Sequence, residues 1–522
     1  MRKVTFLLLS ALLPLSLMAQ DIRVVRGDCM PDSEGDVAAA RGAQAPRRLP
    51  TPNTQWDSNR VYHQLVILVA FNDTDFQGDD PRGFYDKLLN ETGYNNRLGP
   101  GCMAEYFREQ SGGLFNLQFD VYGPYKTDYK AQPYEKPDAD TRNYGRDQMM
   151  AATRMFLAEN PDLDFKVYDW NNNGYANQVI YITAGYTGNQ NAETCYGYIW
   201  PNTSTFSTIT TNDGTKISSY SCSAELWSNK QSCGIGTICH EFTHSLGLPD
   251  IYPTMGGDLP YSMCDEWDLM DGGNFTNYGS CPPNYTPLEK MLLGWLTPVE
   301  LTEPTTVQDL NPVADGGVVY KVSHTDNEYY LLENRQWNGW DKGVPGRGLV
   351  IYHVNYSAGN WSANNVNNTV GAPKFELVHA DNRDYDAWDD YLLAIGARTQ
   401  YANSGRMNNV HLSGSPYPYA TDSTETVSQL TDESVPASMM QTTNAGGRKL
   451  LSKPITNIRM SDDGLISFDF MGGDSTVGVK TIAITRPATA TTYDLQGRRA
   501  VVGSHGLLIM RQADGTIRKI AK

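Results

Sequence analysis

His240-Glu241-Phe242-Thr243-His244-Ser245-Leu246-Gly247-Leu248-Pro249-Asp250 decides how this chain is read. An α-helix turns about 100° per residue, so His240 and His244 fall about 40° apart, one turn from each other. Both imidazoles can reach one Zn²⁺, with Glu241 beside the metal rather than on it. Ile235, Ile238, Cys239, Phe242 and Leu246 fall on the opposite side, giving an apolar back and a metal-binding front. Gly247 can adopt positive φ and end the helix, and Pro249 cannot continue one. Asp250 then arrives where a third ligand is needed. Two nitrogens and one carboxylate leave a fourth position open for water, the mark of a catalytic zinc site. A carboxylate further on, Glu266 or Asp268, is the other choice for the third ligand. Zinc of this kind activates water, and Glu241 is the natural general base.

With 8 His in 522 residues, a chance HExxH is roughly a one-in-two-hundred event. The length implies two to four domains. A formal net charge of −17 argues against nucleic acid or anionic lipid as a partner. Arg2 and Lys3, the apolar run Phe6 to Met18, and Ala19 read as a secretory signal over 1–19. No later stretch is long and apolar enough for a transmembrane segment. Residues 20–60 read as a propeptide, small, basic and Pro-containing from Ala38 to Pro50, with Arg41, Arg47 and Arg48 as processing sites.

Of the 8 cysteines, Cys102, Cys195, Cys222, Cys233, Cys239, Cys264 and Cys281 surround the zinc motif. In an exported chain this predicts disulfides. Cys29 stands apart. Its Cys-Met-Pro-Asp context resembles the latency switch of matrix metalloproteases, in which a thiolate fills the open zinc position; the other reading is an ordinary disulfide or free thiol.

Gln64 to Phe71 and Val179 to Ala184 read as buried strands, Leu114 to Val121 as another strand, and 103–110 and 144–160 as helices. Alternation of this kind makes 61–300 an α/β catalytic domain, closed by a short helix over 288–294. Asp169, Asn171 and Asn173 place oxygens at alternate positions before Gly174, which fits either a weak Ca²⁺ loop or an Asx-type turn. Met270 lies on Trp267-Asp268-Leu269-Met270-Asp271-Gly272-Gly273; it reads either as a Met-turn floor beneath the zinc, a metzincin feature, or as a core methionine. From 301 to 472 short β runs alternate with turns, which predicts an antiparallel β domain. The scattered His324, His353, His379 and His411 read as structural. Residues 473–522 form a small β-sandwich-like module.

The segment 64–470 resembles the immune-inhibitor-A-like metalloproteases. The resemblance runs through VILVAFND at 66–73, MAEYFREQSGGLFNL at 103–117, DWNNNGYANQVIYITAG at 169–185, HEFTHSLGLPD, WDLMDGG, YYLLENRQ at 329–336, GRGLVIYHV at 346–354 and PITNIRMSDDGLISFDF at 454–470. It implies a secreted, metzincin-like zinc endopeptidase made with a propeptide, with His240 and His244 on zinc and Glu241 catalytic. YDLQGRR, GLLIM and the basic end resemble the C-terminal sorting domains of type IX secretion cargo, which implies that machinery as a partner. The expected function is hydrolysis of extracellular proteins or peptides. Its rivals are an inactivated protease-fold adhesin and a zinc amidase acting on cell-wall amides.

Overall fold

The computed structural model describes residues 49–94, 99–132, 142–189, 195, 197–254, 262–395, 412–421, 425–473, 491–493, 507–511 and 517–521. The expected signal segment, most of the leader with Cys29, and much of the tail lie outside these residues. The chain divides after Gly473.

The first unit is built on a five-stranded sheet in the order β2-β1-β3-β5-β4. β1 (Val61–Ala70) and β3 (Val179–Tyr186) are the apolar, β-branched runs, and burial on both faces suits their central places. β2 (Asn116–Lys126) alternates between buried and partly exposed residues and takes one edge. β1, β2, β3 and β5 (Lys216–Leu226) run parallel, and β4 (Asn202–Thr210) runs antiparallel to β5 at the other edge. Helices α1 (Pro81–Asn90), α2 (Met103–Gln110) and α3 (Arg142–Glu159) connect the strands. Asp80 caps α1 by accepting from the Gly83 amide at 2.9 Å.

Helix α4 (Gly236–Ser245) carries the HExxH motif. Its back is an aromatic nest: the Phe242 ring lies 5.1 Å from Phe107, 6.3 Å from Phe119 and 6.2 Å from Trp170. Burying Phe242 contributes on the order of 3 kcal/mol. The front is enclosed as well, so His240 and Glu241 are as buried as the apolar side.

Beyond 300 the strands Phe375–Leu377, Gly348–Asn355, Glu328–Arg335 and Tyr320–Ser323 form an antiparallel array, and Val299–Glu300 joins its edge in parallel. A second sheet joins Ile455–Met460, Ile466–Phe470 and Thr305–Leu310. One hydrophobic cluster runs from β1 through Phe242 to Val350 and Tyr352. Arg335 crosses the same boundary. Its buried guanidinium donates to Glu333 at 2.7 Å, Asp341 at 2.6 Å and the Asn284 carbonyl at 2.9 Å. In the second unit, Thr491–Tyr493, Leu507–Arg511 and Ile517–Ala521 make an antiparallel three-stranded sheet.

One expectation is corrected here. No disulfide joins the described cysteines; all seven are buried thiols. Burial pushes the Cys102 and Cys281 thiols up to about 12, which makes them inert packing groups. The end of the segment read as a propeptide is packed against the fold. Leu49 is buried and its amide donates to the Ser362 carbonyl at 3.0 Å. The Trp56 indole donates to the Leu293 carbonyl at 2.6 Å.

Candidate metal centre

Helix α4 ends as its sequence requires: Gly247 takes φ +98°. A Cβ there would stand 2.5 Å from the Pro50 carbonyl oxygen and 2.8 Å from the Pro52 nitrogen, so only glycine fits beneath that segment. The turn returns Asp250 to the two histidines. Asp250 Oδ1 lies 3.1 Å from His240 Nε2 and 3.2 Å from His244 Nε2. Among the described residues, these three form the one cluster of His, Cys, Asp or Glu side chains able to hold a metal ion. Glu266 and Asp268 are outside it.

The other ring nitrogens identify the tautomers. His240 Nδ1 is 2.8 Å from the Leu269 carbonyl oxygen, and His244 Nδ1 is 2.8 Å from the Leu248 carbonyl oxygen. A carbonyl only accepts, so both Nδ1 atoms carry protons. In the neutral imidazoles both Nε2 lone pairs then point at one carboxylate oxygen. Acceptor facing acceptor is stable only with a cation between them. Ligand atoms on a tetrahedral zinc lie about 3.3 Å apart, close to these separations. Protons are the alternative cation. Burial opposes charge on His240, but the Asp250 hydrogen bond, helped by the Glu241 and Asp250 charges, raises it to about 9. Burial likewise opposes the Asp250 charge, and the His244 charge with both imidazole hydrogen bonds holds that carboxyl well below its usual range. The donor set fits a divalent metal.

Glu241 is buried with one oxygen occupied and one not. Oε2 lies 2.7 Å from Thr203 Oγ1, which is also 2.7 Å from the Glu241 carbonyl oxygen. Oε1 is enclosed and has no hydrogen-bond partner.

The turn after Trp267 supports the centre from behind. Besides Leu269, the Met270 carbonyl accepts from the Ile251 amide at 2.8 Å, and the Met270 side chain is buried. Asp268 accepts from the Met270 amide at 2.6 Å. Its second oxygen is buried without a hydrogen-bond partner, as is one oxygen of Glu289. Burial first, and the Glu289 charge next, raise the Asp268 carboxyl well above its ordinary range; burial raises Glu289 to about 7. Such a pair is stable sharing a proton.

The calcium reading finds no support. Asp169 spends both oxygens on loop amides, Asn173 N at 3.0 Å and Gly174 N at 2.7 Å, and Asn173 Oδ1 accepts from Tyr175 N at 2.9 Å. This is the Asx-type turn, with Asn171 exposed. Thr203, the Leu248 and Leu269 carbonyls, and Asn364, whose amide donates to Asp250 Oδ2 at 2.7 Å, were not singled out by motif reading. The Ser/Thr alternation of Asn202 to Thr210 and the asparagine run at 364–368 are the signals they leave in the sequence.

A mixed α/β sheet domain holding a two-histidine, one-carboxylate cluster beside a buried glutamate defines a metallopeptidase domain. Residues 51–291 match the immune inhibitor A peptidase M6 catalytic domain. It is 22% identical over 269 residues to the pre-pro-metalloprotease PrtV of Vibrio cholerae serotype O1, a match covering 46% of this chain and 28% of that protein. It is 26% identical over 221 residues to a protein of Arthroderma benhamiae bearing the name of a secreted metallopeptidase, covering 38% of this chain and 32% of the relative. The chain thus spans about a third or less of the length of these relatives.

Proposed function

We propose that the chain is a secreted, zinc-dependent endopeptidase of metzincin type, made as a zymogen and acting on extracellular proteins. The observation that carries this is the convergence of two Nε2 lone pairs on Asp250 Oδ1, at 3.1 and 3.2 Å. His240, His244 and Asp250 would hold the metal. When bound, zinc supplies an activated water and polarises the scissile carbonyl. Glu241 Oε1, the oxygen with no partner, takes the proton from the attacking water and delivers it to the leaving amine. Thr203 fixes the carboxylate while that proton moves.

The metzincin assignment is supported by antiparallel β4 beside helix α4, and by the Leu269–Met270 turn behind the histidines. The Met270 side chain serves as the floor. The zymogen is supported by the packing of Leu49 to Pro52 against the end of the ligand helix, with Cys29 as the latency thiol upstream. Export is supported by the first nineteen residues and by a tail read as a type IX sorting module. No helix among the described residues is long and apolar enough to cross a membrane. The proposed division is 1–19 signal, 20–60 propeptide, 61–300 catalytic, 301–472 β-rich and 473–522 sorting.

The test is metal analysis with a casein assay, with and without chelator, on matured protein. One zinc per chain, chelator-sensitive hydrolysis, and a Glu241→Ala variant that keeps zinc but loses turnover are expected. A metal-free, inert parent that added zinc does not rescue would overturn the reading.

A further inference from the structure

We propose that Asn364, which lies outside the family-matched segment, is a positioning residue of the metal centre. The inference rests on the metal-binding reading above and names a part of the site that 51–291 does not contain.

The contact is reciprocal. Asn364 Nδ2 donates to Asp250 Oδ2 at 2.7 Å, and the Asp250 amide donates to Asn364 Oδ1 at 2.7 Å. One carboxamide therefore grips both the backbone and the side chain of the third ligand. With Oδ2 held, Oδ1 is the oxygen left facing both imidazoles. The donor is neutral, so Asp250 keeps its full charge for a cation. Asn364 itself has φ +54°, in the left-handed region where asparagine is favoured among non-glycine residues.

The grip is part of a ladder. The Thr254 amide donates to Asn368 Oδ1 at 2.7 Å, and Asn368 Nδ2 returns a bond to Thr254 Oγ1 at 3.0 Å. Thr254 Oγ1 donates to the Asn364 carbonyl at 2.8 Å. Between them, buried Asn367 donates to the Ile251 carbonyl at 2.8 Å and to the Phe375 carbonyl at 2.8 Å. Asn367 Oδ1 also accepts from the Lys374 amide at 2.8 Å and the Phe375 amide at 3.1 Å. Side-chain amides thus register residues 250–254 against a segment more than a hundred positions later. The rung at Asn364 touches the ligand, and the rung at Asn368 does not. That difference separates metal positioning from mere loop anchoring.

The experiment uses the full chain. Zinc affinity is measured by competition with a chromophoric chelator, and the Co²⁺-substituted protein is read by visible absorption. Asn364→Gly keeps the backbone conformation and deletes the amide. It is expected to weaken zinc binding roughly ten- to a hundredfold and to alter the Co²⁺ spectrum. Asn364→Asp, of equal size, presents a second carboxylate to Asp250 and substitutes for the glycine variant if that one does not fold. Asn368→Ala is expected to lower the melting temperature while zinc affinity stays within about threefold of the parent. Parent-like zinc affinity and Co²⁺ spectra in the Asn364 variants would overturn the proposal, as would equal losses of affinity at Asn364 and Asn368. A parent that binds no zinc would instead overturn the functional reading beneath it.

Discussion

The Thr203 hydroxyl, carried on the edge strand β4, lies 2.7 Å from Glu241 Oε2 and 2.7 Å from the Glu241 carbonyl oxygen. Its one proton is shared between two acceptors of the same residue, so it ties the Glu241 side chain to its own helix. Removing the hydroxyl without changing the shape leaves the carboxylate free to rotate. Thr203→Val is expected to lower kcat roughly ten- to a hundredfold with KM and zinc content unchanged, the effect of losing a hydrogen bond to a charged group. Thr203→Ser should restore most of the rate. A valine variant with parental kcat would show that β4 does not position the proposed base, Glu241.

The carboxyl pair of Asp268 and Glu289 makes stability fall with pH. Glu289 is raised from its ordinary 4.5 to about 7 by burial, so the folded chain holds a proton that the unfolded chain releases earlier. Stability from this group is full below about pH 4.5 and declines up to about pH 7. Asp271, also raised to about 7 by burial and the Asp265 charge, contributes in a similar window. Glu289→Gln is expected to flatten part of that slope in melting curves from pH 4.5 to 7. An unchanged slope would place the pair's proton elsewhere.

His353 behaves in a different window. Burial opposes its charge, but Glu328 at 2.9 Å and Glu376 at 2.8 Å flank the ring and raise it to about 9. The folded state holds this proton more tightly, so the contribution is full below about pH 6.5 and is lost as pH rises to about 9. His353→Gln leaves two carboxylates facing a neutral amide. It should cost about 3 kcal/mol at pH 6 and remove the decline between pH 6.5 and 9. Equal losses for parent and variant across that range would refute the assignment.

The buried thiols give a direct count. Denatured without reductant, the chain should titrate at least the seven thiols Cys102, Cys195, Cys222, Cys233, Cys239, Cys264 and Cys281. A count below seven would show that disulfides form.

What the sequence displays depends on how local the signal is. Helix 103–110 was legible to the residue because apolar spacing precedes Ser111-Gly112-Gly113, and both glycines have positive φ. The central strands were legible as β-branched runs. The closeness of His240, His244 and Asp250 followed from helix pitch and one glycine turn. The hairpin of β4 and β5 was not read: Asn202 to Thr210 is polar and looks like loop until β5 pairs with it. Thr203 and Asn364 were hidden for the same reason, since their partners are set by tertiary contacts. The cysteines misled because export and number point to disulfides, whereas packing used each thiol as a small apolar group.

The contact of Pro50 and Pro52 with Gly247 sets a limit on trimming. The stub from Leu49 to Pro52 closes over the end of the helix that carries His240 and His244, so a cut beyond it would expose Gly247. A recombinant chain begun at the first strand, Val61, would uncover that glycine and strip the Trp56 anchor from Leu293. The dozen residues ahead of the first strand therefore serve as a clasp on the catalytic fold, holding shut the end of its most important helix.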